Sequence, residues 1–114
     1  MRIISLLLCL SFSAYANNQP EANLSAGKDK ATLCFACHGN NGRAVMAEYP
    51  NLAGQNEAYL RLALAAYRDG HRQHTVMAPM AQGLSDQDIV NLAAFFASLP
   101  QTNTAGTATA TPDL

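Results

Sequence analysis

Tryptophan is absent from this 114-residue chain, cysteine occurs only three times, and charged residues make up 13% of it. Each shortage excludes something. Seven basic side chains against eight acidic ones, a formal net charge of -1, give no electropositive excess for neutralising phosphates, and the His- and Arg-bearing stretch from Tyr67 to His74 is too short for a basic arm. Nucleic acid is therefore not an expected partner. Three cysteines do not make a disulfide framework, because an odd count leaves a thiol unpaired. The longest apolar run, Ile3 to Phe12, is about ten residues, half of what a membrane-spanning helix needs. The length suits one domain, and no internal repeat is present.

The first residues read as an address. Arg2 precedes the apolar run, and Ala14-Tyr15-Ala16 follows it as a small-x-small cleavage pattern, so residues 1–16 read as a secretory signal removed after Ala16. Leu8 is not the small residue expected before a lipid-modified cysteine, so Cys9 is discarded with the signal and two cysteines remain. Residues 101–114 are mostly Thr, Ala, Gly, Asn and Pro and cannot bury enough surface to offset their ordering entropy, which predicts a disordered tail. The folded domain is placed within residues 17–100. A core of about 80 residues is marginal without a staple, metal or cofactor.

Three helices and little strand signal predict an all-α fold. Ser25 is a candidate cap for a helix running toward Cys34, with Gly27 inside it and a turn forced by Gly39-Asn40-Asn41-Gly42. From Asn56 to Asp69, Tyr59, Leu60, Ala63, Leu64 and Tyr67 recur at helical spacing, and Gly70 supplies the stop. Ser85-Asp86-Gln87-Asp88 resembles a capping box, followed by a stripe of Ile89, Leu92, Ala93, Phe96 and Leu99 ending at Pro100. Between the last two helices, Gly70 to Leu84 reads as a long loop, and loops of that length in a compact domain are usually functional or disordered.

The decisive pattern is Cys34-Phe35-Ala36-Cys37-His38. In an exported protein the spacing C-x-x-C-H is the pattern for covalent haem attachment. Two thiols three positions apart at a helix end can each add across a haem vinyl group, and the next residue then aims its imidazole at the iron. A disulfide or redox-active C-x-x-C is the competing reading, but no strand-helix-strand pattern surrounds it. Structural zinc wants four ligands, and only His71 and His74 are left to offer them. A sixth iron ligand can come from Met77 or Met80 in Val76-Met77-Ala78-Pro79-Met80, and His/Met ligation raises the reduction potential of a haem iron. Met46, eight residues after His38, is too close in sequence to come round to the opposite haem face. Ala78 to Leu84 leaves Met77 more residues than Met80 has for turning away into the last helix, and His71 and His74, beside Arg72 and Gln73, read as solvated.

With these residues in place the sequence resembles the class I cytochromes c, and more closely the bacterial soluble type seen in short monohaem cytochromes and in each half of the dihaem type. The resemblance covers about Ala22 to Leu99. In order it takes in Gly27, Cys34-x-x-Cys37-His38-Gly39, Tyr49-Pro50-Asn51-Leu52-Ala53-Gly54-Gln55, Tyr59-Leu60, Met77, Leu84-Ser85-Asp86-Gln87-Asp88-Ile89 and Leu92-Ala93-Ala94-Phe95-Phe96. It implies three main helices wrapped around one haem c, with His38 and Met77 as iron ligands. It also implies that the Pro50 carbonyl accepts the other imidazole N–H, a bond that fixes ring orientation and raises ligand basicity. Gly27 is expected where the first and last helices cross, with Phe95 filling the space. Leu92, Phe96, Leu52 and either Tyr59 or Leu60 are expected against the haem, although core packing alone would account for each.

The function that follows is one-electron transfer and not enzyme catalysis, because two filled axial positions leave no open site on the iron. The resemblance implies a periplasmic carrier, monomeric or weakly dimeric, that meets redox partner proteins transiently through an exposed haem edge, with no membrane span after signal removal. Two alternatives remain: a haem-bearing subunit of a larger oxidoreductase, and a five-coordinate haem peroxidase or gas-binding protein.

Overall fold

The computed structural model describes residues 19–101. The expected signal, with Cys9, lies outside the described residues, as does all but the first residue of the expected tail. Helices α1 (Leu24–Lys30), α2 (Phe35–His38), α3 (Glu57–Arg68), α4 (Met77–Ala81) and α5 (Asp86–Ser98) follow one another, with a 3₁₀ turn at Ala31–Leu33 joining α1 to α2. No strand occurs among the described residues. The fold is all-α, with α1 and α3 both packed on α5 and α4 packed on α3.

Helices α3 and α5 each open on a side-chain cap, and the one at α5 is the capping box expected from the sequence. Asn56 caps α3, its side chain accepting the Tyr59 N–H at 3.0 Å. At α5 the box is complete, with Ser85 Oγ accepting from Asp88 N and Asp88 Oδ2 accepting from Ser85 N, both at 3.0 Å. The first helix departs from expectation. Its cap is Asn23, not Ser25: Asn23 Oδ1 accepts the Ala26 N–H at 2.9 Å, while its own N–H donates to Asn91 Oδ1 at 2.8 Å. That contact with α5 holds the backbone in register and decides between two acceptable capping residues. Nor is the segment to Cys34 one continuous helix, because it tightens into the 3₁₀ turn before α2.

The largest difference is α4. The segment expected to be a loop from Gly70 to Leu84 contains a five-residue helix starting at Met77. Pro79 falls in its first turn, where a missing N–H breaks no intrahelical bond. The base of this segment is closed by Arg68, whose guanidinium donates to Asp86 Oδ1 at 2.7 Å, Asp69 Oδ1 at 2.8 Å and the Leu84 carbonyl at 3.3 Å. Those carboxylates hold Arg68 firmly protonated, the bonds to Asp69 and then Asp86 contributing most.

The core is small. Ala31, Leu60, Leu92, Ala93, Phe95 and Phe96 are buried together, and Cys34, Phe35, Leu52, Leu64, Leu84 and Leu99 pack against them. Phe95 and Phe96 meet edge to face at 5.2 Å, with Phe35 about 6 Å from both. Gly27 sits under α5 as expected, where a Cβ would stand 2.2 Å from the Asn91 carbonyl oxygen and 2.9 Å from Phe95 Cβ.

Candidate haem site

Local hydrogen bonds build the turn that carries Cys34, Cys37 and His38. Cys34 N donates to Ala31 O at 2.8 Å, and His38 N donates to Cys34 O at 2.9 Å, so the motif is one tight helical turn continuing from the 3₁₀ segment. Gly39 ends it at φ +78°, where a side chain would run into the Arg43 carbonyl, 2.0 Å from a Cβ. Glycine is the residue that adopts this left-handed conformation without steric cost. Both thiols are free and half-buried. Burial pushes the Cys34 thiol up from its ordinary value, against an opposing backbone hydrogen bond.

The backbone then returns. Gly42 O accepts the amides of Leu52 and Ala53 at 2.8 and 2.9 Å, and Asn51 Oδ1 accepts the Ala44 N–H at 2.7 Å. This closed loop brings Pro50 back to His38, whose Nδ1 donates to the Pro50 carbonyl at 2.9 Å. A carbonyl oxygen only accepts, so the bond puts the ring proton on Nδ1 and leaves the Nε2 lone pair for a metal. His38 is only 6% exposed, and the Tyr49 ring stands 6.5 Å from its own. In the sequence Tyr49 is only one member of a motif; its place beside the imidazole follows from the closure of the loop.

The other candidates divide. Leu92 and Phe96 are buried, and Leu52 packs on the same cluster. Of Tyr59 and Leu60, the structure puts Leu60 in the protein core and leaves Tyr59 49% exposed to the surroundings of α3. Met77 opens α4 and is half-buried, whereas Met80 is 44% and Met46 51% exposed. His71 and His74 are exposed as expected, but His74 Nδ1 accepts the backbone N–H groups of Val76 and Met77, both at 3.2 Å. Among the described residues no group of three or more His, Cys, Asp or Glu gathers to hold a metal by itself.

These residues fit a haem. Two free thiols on one turn, an imidazole whose Nδ1 is taken up by the Pro50 carbonyl and the apolar cluster against which Cys34 packs would supply attachment points, an iron ligand and a hydrophobic bed. The sequence profile of the family described as Cytochrome c matches residues 24–100. The chain belongs to the cytochrome c family. It is 49% identical over 77 residues to cytochrome c-554(548) of Halomonas halodenitrificans, covering 65% of this chain and 93% of that one. It is 41% identical over 96 residues to cytochrome c4 of Pseudomonas aeruginosa, covering 84% of this chain and 47% of that protein. Its fold matches the crystal structure of reduced recombinant cytochrome c4 from Pseudomonas stutzeri with a TM-score of 0.66 at 35% identity, over 69% of this chain and 46% of the other. The chain thus spans about half the length of its cytochrome c4 relatives. As a class I cytochrome c it carries covalently bound haem c and transfers electrons.

Proposed function

We propose that this cytochrome is a periplasmic one-electron carrier in which Cys34 and Cys37 hold the haem covalently and His38 and Met77 are the axial ligands. The observation that carries the reading is the His38–Pro50 hydrogen bond, which sets the tautomer and orients the ring for metal binding at Nε2. Haem c supplies a one-electron iron couple at moderate to high potential when a thioether is the second ligand.

The protein's own residues do the rest. Pro50 and Tyr49 restrain the His38 ring. Leu52, Leu60, Leu92 and Phe96 exclude water beside the attachment turn, and a low local dielectric tunes a haem potential. Met77 is favoured over Met80 by its partial burial at the head of α4, against the exposure of Met80. His74 is disfavoured as a ligand because its Nδ1 lone pair is engaged by two backbone amides, which places the ring proton on Nε2.

Export and cleavage after Ala16 supply the compartment in which this reading works. Among the described residues no helix is long and apolar enough to cross a membrane. Encounters with donor and acceptor proteins are brief, and a near-neutral charge gives little long-range steering. Monomer or weak dimer is the expected state.

The test is expression in a host that attaches haem c. Denaturing electrophoresis with haem staining should show covalent haem in the wild type, reduced stain with Cys34→Ala or Cys37→Ala, and none in the double variant. The intact mass should correspond to a polypeptide beginning at Asn17 plus one haem. A double variant that kept its stain, or a carrier that turned over peroxide with a five-coordinate spectrum, would contradict the reading.

A further inference from the structure

The turn that presents Met77 lacks the usual devices for starting a helix. Val76 stands at the capping position and offers no side-chain acceptor. The first amides of any helix have no intrahelical partner and must find one elsewhere. In α4 they find it in one residue. His74 Nδ1 accepts the N–H groups of Val76 and Met77, each at 3.2 Å, and the His74 carbonyl accepts the Ala78 N–H at 3.1 Å. The next residue, Pro79, has no N–H to satisfy. The amides on and around Met77 therefore hang on His74 alone.

The imidazole is itself held. Its ring meets Tyr67 of α3 edge to face, with centroids 6.3 Å apart and planes at 75°. Arg72 lies over the same tyrosine, its guanidinium carbon 4.7 Å from the ring centroid. Stacking of this kind favours the ring orientation that points Nδ1 at the amides. The side chain is exposed, so it contributes little as core packing; its role is the acceptor it places.

We propose that His74 is a positioning residue for the axial thioether: its Nδ1, braced by Tyr67, pins the backbone of Val76 and Met77 so that the Met77 side chain keeps one orientation. The inference rests on Met77 being the ligand. An exogenous ligand can take the sixth position only when the thioether leaves, so loosening the turn should make that exchange easier. Losing one or two net backbone hydrogen bonds corresponds to about a tenfold change in that equilibrium.

The test uses the haem-loaded ferric protein and imidazole as the incoming ligand, followed by loss of the Fe–S(Met) charge-transfer band. His74→Leu should bind imidazole about tenfold more tightly than wild type. His74→Asn, which keeps a side-chain acceptor, should recover most of the difference. In the wild type, hydrogen exchange at the Val76 and Met77 amides should be slowed although Val76 is 49% exposed. That measurement requires no variant to fold. Unprotected amides, or a His74→Leu protein that titrates like wild type, would overturn the proposal. Met77→Ala separates the two readings. If it loses the band while His74→Leu behaves as wild type, only the role of His74 fails; if it keeps the band, the ligand assignment fails and the positioning role with it.

Discussion

A methyl group on Gly27 would stand 2.2 Å from the carbonyl oxygen of Asn91, so α1 and α5 cross with backbone against backbone. The same Asn91 is buried, and its Oδ1 accepts the Asn23 N–H and a Gln87 Nε2–H at 2.8 and 3.0 Å. One residue of α5 thereby sets both how close α1 comes and where it begins.

Gly27→Ala must force these helices apart. Overpacking of this kind costs about 1–3 kcal/mol, to be read from denaturant unfolding of the haem-loaded protein. Gly83→Ala is the control, because a Cβ there has nothing within 4 Å. Equal effects at the two positions would show that the crossing is not the close contact described.

The choice between thioethers is open to a spectrum. Met77→Ala should abolish the Fe–S(Met) charge-transfer band of the oxidised protein and lower its reduction potential, because a harder ligand takes the place of sulfur. Met80→Ala should leave both nearly unchanged. A reversal between the two variants would move the ligand to Met80 while leaving electron transfer intact.

Acid should weaken the start of α5. The Ser85 backbone N–H, and after it the Lys30 ammonium 3.1 Å away, hold the Asp88 carboxyl below the ordinary carboxylate range. A depressed folded-state value means the stabilisation is present above the unfolded value, about pH 4, and is lost as pH falls through the folded one. The wild-type melting temperature should therefore drop more steeply than that of Asp88→Ala between about pH 5 and pH 3. Solvent around this pair keeps the difference small, and parallel curves would remove Asp88 from the account.

Haem and fold should be lost together. The buried cluster is small, and Cys34, Leu52 and Leu64 are only partly covered by protein. A ligand bound only by the native state stabilises it, so the Cys34→Ala, Cys37→Ala double variant should show reduced helicity by far-ultraviolet circular dichroism and no cooperative melt. A haem-free preparation of the double variant with native helicity and a sharp transition would show that the protein folds without its cofactor.

Several features are readable along the sequence because their causes are local. The attachment turn needs two cysteines and a histidine at fixed spacing. Helices α3 and α5 carry a cap, a helical apolar period and a stop within their own residues, and Ser85 and Asp88 satisfy each other's amides three positions apart. Other features depend on partners distant in sequence. Asn23 rather than Ser25 begins α1 because Asn91, 68 residues away, takes its amide. Leu60 rather than Tyr59 turns inward because α5 lies on that side of α3, and neighbouring positions on one helix cannot be told apart by periodicity alone. Helix α4 is not announced by its residues, because Val76 at its capping position offers no acceptor, the imidazole of His74 two residues earlier takes the amides instead, and its first turn holds a proline. Which cofactor the chain carries is readable from neighbouring residues, since that chemistry needs only side chains a few positions apart. How the His38 ring is oriented and which methionine is sheltered are settled by the folded molecule, since both follow from closing loops that return Pro50 and α4 to the rest of the fold.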